Sequence, residues 1–214
     1  MKNQPELSSY PGNKHLRTES PPPSRNYRDF RAYLSREFYR TCVYCRMPEW
    51  LQNAEYFGVD HYKPKSIFPS LVCEYANLFF ACNACNRRKG NHWPTKRQRI
   101  DGDVVINPTA HQMNKHVSRV GGQFSGNSKM GLFTIDLLDL NQEDRVRYRS
   151  MLLELLVEIK NKARSISETL HELRTKIVRT NGPRKKLLEG KQLEQRQNLK
   201  RLEARINWLE NGGE

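Results

Sequence analysis

Cys42-Val43-Tyr44-Cys45 and, after 36 intervening residues, Cys82-Asn83-Ala84-Cys85 decide how this chain is read. Two residues between thiols make a tight knuckle, and a pair of knuckles supplies the four sulfurs that Zn²⁺ takes in a tetrahedral shell. Buried free cysteines would also satisfy the pattern, but both halves seldom coincide by chance. A redox pair would stand as one motif beside a strand–helix unit. Here the pairs bracket a run dense in His, Asn and aromatic residues. The spacing therefore predicts a structural Zn²⁺ on Cys42, Cys45, Cys82 and Cys85, with no open position for water. Cys73 stays outside it as a small apolar residue.

Outward from this centre the chain changes character several times. Residues 1–27 contain Pro11, Gly12 and Pro21-Pro22-Pro23-Ser24 with few large apolar groups, the composition of a flexible arm. From Arg28 onward, Phe30, Tyr33, Leu34 and Phe38 share one helical face, so a short amphipathic helix leads into the first knuckle. In residues 101–136, glycines surround Val104-Val105-Ile106 and Leu132-Phe133-Thr134-Ile135, which read as short strands. After Asn141 the apolar residues Leu152, Leu156, Ile159, Ala163, Ile166, Leu170, Leu173 and Ile177 alternate steps of four and three, a heptad seam. The seam stops at Asn181-Gly182-Pro183, a terminating glycine followed by a proline suited to the first turn of a new helix. Leu188, Leu199, Leu202, Ile206 and Leu209 can then face the seam if the second helix folds back. The expected layout is an arm over 1–27, an α+β module with a small β-rich extension over 28–140, and an antiparallel helical hairpin over 141–214. A first helix of about 35 residues would be roughly 50 Å long, so part of it should project.

The chain has 214 residues, with 37 Lys and Arg against 23 Asp and Glu, a formal net charge of +14. Such an excess favours a polyanionic partner, because neutralising phosphates releases condensed counterions. No stretch approaches the roughly 18 apolar residues that a membrane span needs, and no secretory signal precedes the module. The expectation is a cytoplasmic protein without disulfides. Arg87, Arg88, Lys89, Lys96, Arg97 and Arg99 form a basic run uninterrupted by acidic residues. Such a run can hold nucleic-acid phosphates without reading sequence, although a solvated charged face looks the same.

Between and just after the knuckles lie Gly58-Val59-Asp60-His61-Tyr62-Lys63-Pro64, Tyr75-Ala76-Asn77-Leu78-Phe79-Phe80 and Asn86-Arg87-Arg88-Lys89-Gly90-Asn91. On these residues the segment 42–91 resembles the HNH endonuclease family, in its zinc-knuckle subgroup. The resemblance implies a ββα-metal core: a strand ending at Asp60-His61, a second strand holding Asn77, and a helix starting near Cys85. It implies that His61 is the general base and that Asn77 ties the loop and orients the histidine backbone. Asp60 and Asn86 would then give oxygens to Mg²⁺ or Mn²⁺. The chemistry is consistent with those roles. Phosphodiester hydrolysis needs an activated water and a hard cation to offset charge on the phosphate, and imidazole is the natural base near neutral pH. Asn86 stands where many members of the family carry histidine, and a carboxamide suits Mg²⁺ better than softer metals. Trp93 reads as a packing residue, and His92, His111 and His116 as surface or structural ones.

Further along, Val105-Ile106-Asn107-Pro108 and Thr134-Ile135-Asp136-Leu137-Leu138-Asp139-Leu140-Asn141 lead into a helix carrying Arg145, Arg147 and Arg149. Over most of residues 28–150 this arrangement is similar to the small HNH nucleases of bacterial Septu-type anti-phage systems, including retron-linked ones. That resemblance implies an ATPase partner. The reading is a metal-dependent endonuclease of DNA or RNA. Its alternatives are a non-catalytic zinc-ribbon adaptor for nucleic acid or an ATPase, and a stand-alone restriction-like (McrA-like) endonuclease. His61 beside Asp60 separates them, since an adaptor has no need of that pair.

Overall fold

A computed structural model describes residues 13–52 and 54–212. The chain divides into two compact units, Met1–Ser150 and Met151–Glu214. The division falls inside a long helix rather than at residue 141, because the first turns of that helix are tied to the first unit. Arg145 donates to the Leu138 and Asp139 carbonyls, Arg149 to those of Gly122 and Leu140, and the Tyr148 hydroxyl to that of Leu51.

In the first unit, a 3₁₀ turn at Tyr27–Phe30 runs into α1 (Arg31–Glu37), whose Phe30, Leu34 and Phe38 side is buried. The first knuckle follows. Its turn is closed by Arg46 N–H to the Cys42 carbonyl, with Arg46 at φ +57°, a left-handed conformation uncommon outside glycine. Strands β1 (Phe57–His61) and β2 (Leu78–Cys82) pair antiparallel, with Asp60 opposite Phe79 and His61 opposite Leu78. Every residue of β2 is buried, so the strand reads as a continuous apolar run instead of alternating. Phe79 meets Phe38 edge-on at 5.5 Å, and Phe80 stacks on Phe57 at 5.2 Å. Helix α2 (Asn83–Lys89) leaves β2 without a loop, so the second knuckle spans the junction, with Cys82 ending β2 and Cys85 in the first turn of α2. These three elements are the expected ββα unit. Asn77 sits one residue before β2, at the end of the 3₁₀ turn Tyr75–Asn77, and not within the strand.

Beyond α2, helix α3 (Lys96–Asp101) opens on a Thr95/Gln98 capping box and closes at Gly102, φ +82°. Then come α4 (Met113–His116), strands β3 (Val117–Val120) and β4 (Gln123–Gly126), and α5 (Lys129–Leu137). The extension thus contains a β-hairpin, but not where the sequence reading put its strands. Val104-Val105-Ile106 belongs to no strand, and the Ile106 amide donates to the Thr134 hydroxyl. Leu132-Phe133-Thr134-Ile135 lies inside α5, started by the Ser128 side chain accepting from the Gly131 amide. At Gly131 a Cβ would fall 1.9 Å from the His116 carbonyl oxygen, so the close approach of these segments requires glycine.

The arm expected over 1–27 lies outside the described residues as far as residue 12. Of the rest, residues 15–19 are fastened to the module. The Thr18 and Glu19 amides donate to the buried Glu37 carboxylate at 2.8 and 3.0 Å, and Arg17 donates to the Leu78 carbonyl at 2.6 Å.

The second unit contains most of α6 (Glu143–Val178) and all of α7 (Pro183–Asn211). The connection turns at Gly182, φ +66°, and Pro183 opens α7. Leu156, Ile159 and Leu209 are buried between the helices, and Lys160 meets Glu210 at 2.6 Å, which fixes the antiparallel sense. Among the described residues, no helix is long and apolar enough to cross a membrane.

Candidate active site and metal centre

The four knuckle cysteines converge as their spacing demands. All four are buried, their sulfurs lie within 4.8 Å of one another, and Cys45 and Cys82 approach to 3.7 Å. With Zn–S bonds near 2.3 Å, a tetrahedral shell sets sulfurs about 3.8 Å apart, so the cluster can hold Zn²⁺ with little adjustment. Burial pushes the Cys42 thiol pKa up, whereas hydrogen bonds from Cys42, Cys82 and Cys85 pull that of Cys45 down. Arg145 adds a charge partner, its Nη2 lying 3.0 Å from the Cys85 sulfur. Burial alone would lower the Arg145 pKa, but the cysteines around it, Cys85 foremost, raise it and keep the guanidinium charged.

At the end of β1 and the middle of α2, Asp60, His61 and Asn86 line one cleft of about 220 Å³, with Tyr27 and Lys65 on its wall. His61 Nε2 is 3.0 Å from the Val72 carbonyl oxygen. A carbonyl only accepts, so Nε2 carries the proton and Nδ1 is the nitrogen with a free lone pair. The Tyr27 ring meets the imidazole edge-on at 4.8 Å. Burial lowers the His61 pKa against the opposing pull of the Val72 carbonyl and Asp60, which keeps the ring neutral.

Asn77 holds the loop that follows His61. Its Oδ1 accepts from the Lys63 amide at 2.8 Å, its Nδ2 donates to the Lys63 and Leu71 carbonyls, and its own carbonyl accepts from the Tyr62 amide. Asn86 turns its Nδ2 toward the Val59 carbonyl at 3.4 Å, leaving Oδ1 as an available acceptor.

Asp60 is already engaged from inside the protein. Oδ2 accepts from the Tyr44 hydroxyl at 2.6 Å, and Oδ1 from the Lys89 ammonium at 2.8 Å, with the Asp60 and Lys89 side chains 2% and 1% exposed. Lys89 also donates to the His61 carbonyl at 2.7 Å. Burial, then the charge of Asp60, pushes the Tyr44 pKa well up, so its hydroxyl stays a donor. A carboxylate offers about four lone-pair sites, so Asp60 retains acceptor capacity toward the cleft. Together with Asn86 Oδ1 it forms an oxygen donor set suited to a hard divalent cation.

Lys89 therefore corrects the sequence reading. It is a buried partner of Asp60, out of reach of any polymer phosphate, because its ammonium is enclosed against the Asp60 carboxylate and the His61 carbonyl. The rest of the basic run remains accessible to differing degrees. Arg87, Lys96, Arg97 and Arg99 are exposed, with Arg97 near Asp101 and Arg99 over the Trp93 ring, while half-buried Arg88 pairs with Asp139 at 2.9 Å. Trp93 packs against Tyr62 and Phe68. Sequence reasoning missed Tyr44, Lys65 and the contact of Arg145 with Cys85. For Tyr44 the one signal was its place between two ligand-spaced cysteines.

Residues 42–92 match the HNH endonuclease family. Over 114 residues the chain is 36% identical to Septu protein PtuB of Bacillus thuringiensis, covering 52% of this chain. The chain spans 41% of that protein's length. No solved structure matches the chain significantly.

Proposed function

We propose that this chain, carrier of an HNH endonuclease module at residues 42–92, hydrolyses nucleic-acid phosphodiester bonds with the help of a divalent cation. The observation that carries the reading is the shared cleft of Asp60, His61 and Asn86, with His61 Nε2 pinned to a carbonyl. In it, His61 Nδ1 takes a proton from the attacking water. The Val72 carbonyl holds the ring and stabilises the imidazolium that forms, and Asn77 fixes the loop behind it. Asp60 and Asn86 would hold Mg²⁺ or Mn²⁺, which when bound offsets charge on the scissile phosphate and the leaving oxygen. Arg87, Lys96, Arg97 and Arg99, with Lys65 at the cleft wall, hold the polymer by its phosphates. Cys42, Cys45, Cys82 and Cys85 would hold Zn²⁺, which when bound fastens the first knuckle to the junction of β2 and α2 and leaves no open position for water.

The likeness to Septu protein PtuB supports a role in anti-phage defence, and the resemblance read from the sequence implies an ATPase partner that restrains or positions the nuclease. A second reading is a non-catalytic zinc-ribbon adaptor, and one observation favours it: Lys89 already neutralises Asp60. Cleavage decides between them. Purified protein, alone and with the product of the adjacent gene, is incubated with labelled DNA and RNA in Mg²⁺ or Mn²⁺. The nuclease reading expects cleavage that His61→Ala lowers by at least about a hundredfold in a folded protein, the scale of a lost general base. Cleavage unchanged in that variant removes His61 as the base.

A further inference from the structure

The charge of the second unit is segregated along the hairpin. Residues 173–188 carry Arg174, Lys176, Arg179, Arg184, Lys185 and Lys186 and no acidic residue, whereas 151–172 hold three basic and four acidic residues and 189–214 hold five of each. The net positive charge of the unit therefore sits entirely at the turn between α6 and α7. At 1.5 Å per residue, that turn lies roughly 40 Å along α6 from residue 151. Arg174, Lys176, Arg179, Arg184 and Lys186 are exposed, and all of these except Lys176, which pairs with Glu172 at 3.3 Å, make no ion pair among the described residues. Next to the turn, a groove of about 320 Å³ between the helices is lined by Ser167, Leu170, His171, Arg174, Gln192 and Arg196, with no carboxylate. A helical surface kept soluble by charge would intersperse both signs, as the rest of this hairpin does. Collecting one sign at one end costs self-repulsion, which a polyanion relieves.

We propose that the hairpin tip is a second nucleic-acid contact, gripping the phosphate backbone without reading sequence. Nucleic acid is chosen over another polyanion because the nuclease reading already puts that polymer on the same chain, so this choice rests on that reading. The grip is electrostatic and its binding is salt-dependent, each lost phosphate contact reducing the slope of log K against log salt by about one.

The test measures fluorescence anisotropy of a labelled random-sequence DNA duplex and a single-stranded RNA with full-length protein, in buffer without Mg²⁺ or Mn²⁺. The tip variant Arg179→Gln, Arg184→Gln, Lys185→Gln, Lys186→Gln is compared with a control, Lys162→Gln, Arg164→Gln, Arg201→Gln, Arg205→Gln, that removes the same number of charges from exposed positions elsewhere on the hairpin. Glutamine keeps helix propensity. The expected result is an affinity loss on the order of tenfold or more and a salt slope smaller by about two to four for the tip variant, with the control within about twofold of wild type. Arg174→Gln with Arg196→Gln, in the groove, should show a smaller loss of the same kind. Unchanged affinity and slope in the tip variant, or an equal loss in the control, overturns the proposal. So does a tip variant that loses only its binding to phosphatidylglycerol vesicles, which would make the tip a membrane contact. His61→Ala should bind as wild type does. Tip-dependent binding without any cleavage sinks the nuclease reading and leaves the tip assignment standing; His61-dependent cleavage with tip-independent binding does the reverse.

Discussion

Asp60, Lys89 and Tyr44 form a buried charge network in which each member has a definite consequence. Removing one partner of a buried pair leaves the other charge uncompensated, so Lys89→Met should cost about 3–5 kcal/mol in urea unfolding, whereas Tyr44→Phe should cost about 1–3 kcal/mol. Equal effects of the two substitutions would contradict the ion pair as the dominant contact. Glu37 makes a pH prediction. Burial alone would raise its carboxyl pKa, but the Thr18 and Glu19 amides and His15 outweigh that and hold it below the usual range. A depressed carboxyl contributes stability fully present above its unfolded value, about 4.3, and lost as pH falls through the lower folded value. Unfolding free energy should therefore drop below about pH 4, and Glu37→Gln should flatten that drop; identical pH profiles would show that Glu37 does not fasten residues 15–19. The cysteine cluster was legible from its spacing, whereas Asp60, His61, Asn77 and Asn86 were singled out by the family resemblance, and the structure gathers Asp60, His61 and Asn86 in one cleft. The inward turn of Lys89 was masked by its basic neighbours. Its signal was the i, i+4 relation to Cys85, which gives the two a shared helix face.

At the scale of elements, the knuckles are the fastening that lets so small a strand pair hold a site. Cys42→Ser or Cys82→Ser should abolish stoichiometric zinc and lower the melting temperature together, because a structural metal contributes folding energy directly. Retention of metal and melting temperature would break the assigned cluster. Arg145→Ala keeps all four sulfurs but removes the guanidinium at Cys85, and should weaken zinc affinity by about 10- to 100-fold in a chelator competition; unchanged affinity would reduce Arg145 to a helix tie. The ββα unit was implied by the resemblance of residues 42–91 to the HNH family, and the long helices were readable from apolar spacing. The extension was not, since β-branched Thr134 and Ile135 suggested a strand. Met130, Phe133 and Leu137, spaced by three and four and packed against the core, together with the Ser128 cap, make it α5. The real hairpin signal was Gly121-Gly122 between β3 and β4, where Gly121 takes φ +57° and a Cβ on Gly122 would meet the Val146 carbonyl oxygen.

For the whole molecule, the chain combines a ββα module that matches the HNH endonuclease family over residues 42–92, and carries the candidate site, with a hairpin whose charge is concentrated at its turn. The heptad seam and Asn181-Gly182-Pro183 made the hairpin and its turn legible, whereas the exposure of the charges around that turn depends on how the two helices pack. The central claim is that one cleft gathers a carboxylate, a carboxamide and an imidazole to cut a phosphodiester with a hard cation. Its most direct test is a crystal of the full-length protein grown with Mn²⁺ and measured at the manganese absorption edge. The account predicts an anomalous peak within about 2.3 Å of Asp60 and Asn86 oxygens, with His61 Nδ1 facing the open side. A cleft without manganese, its Asp60 still held by Lys89 and Tyr44 alone, would contradict it.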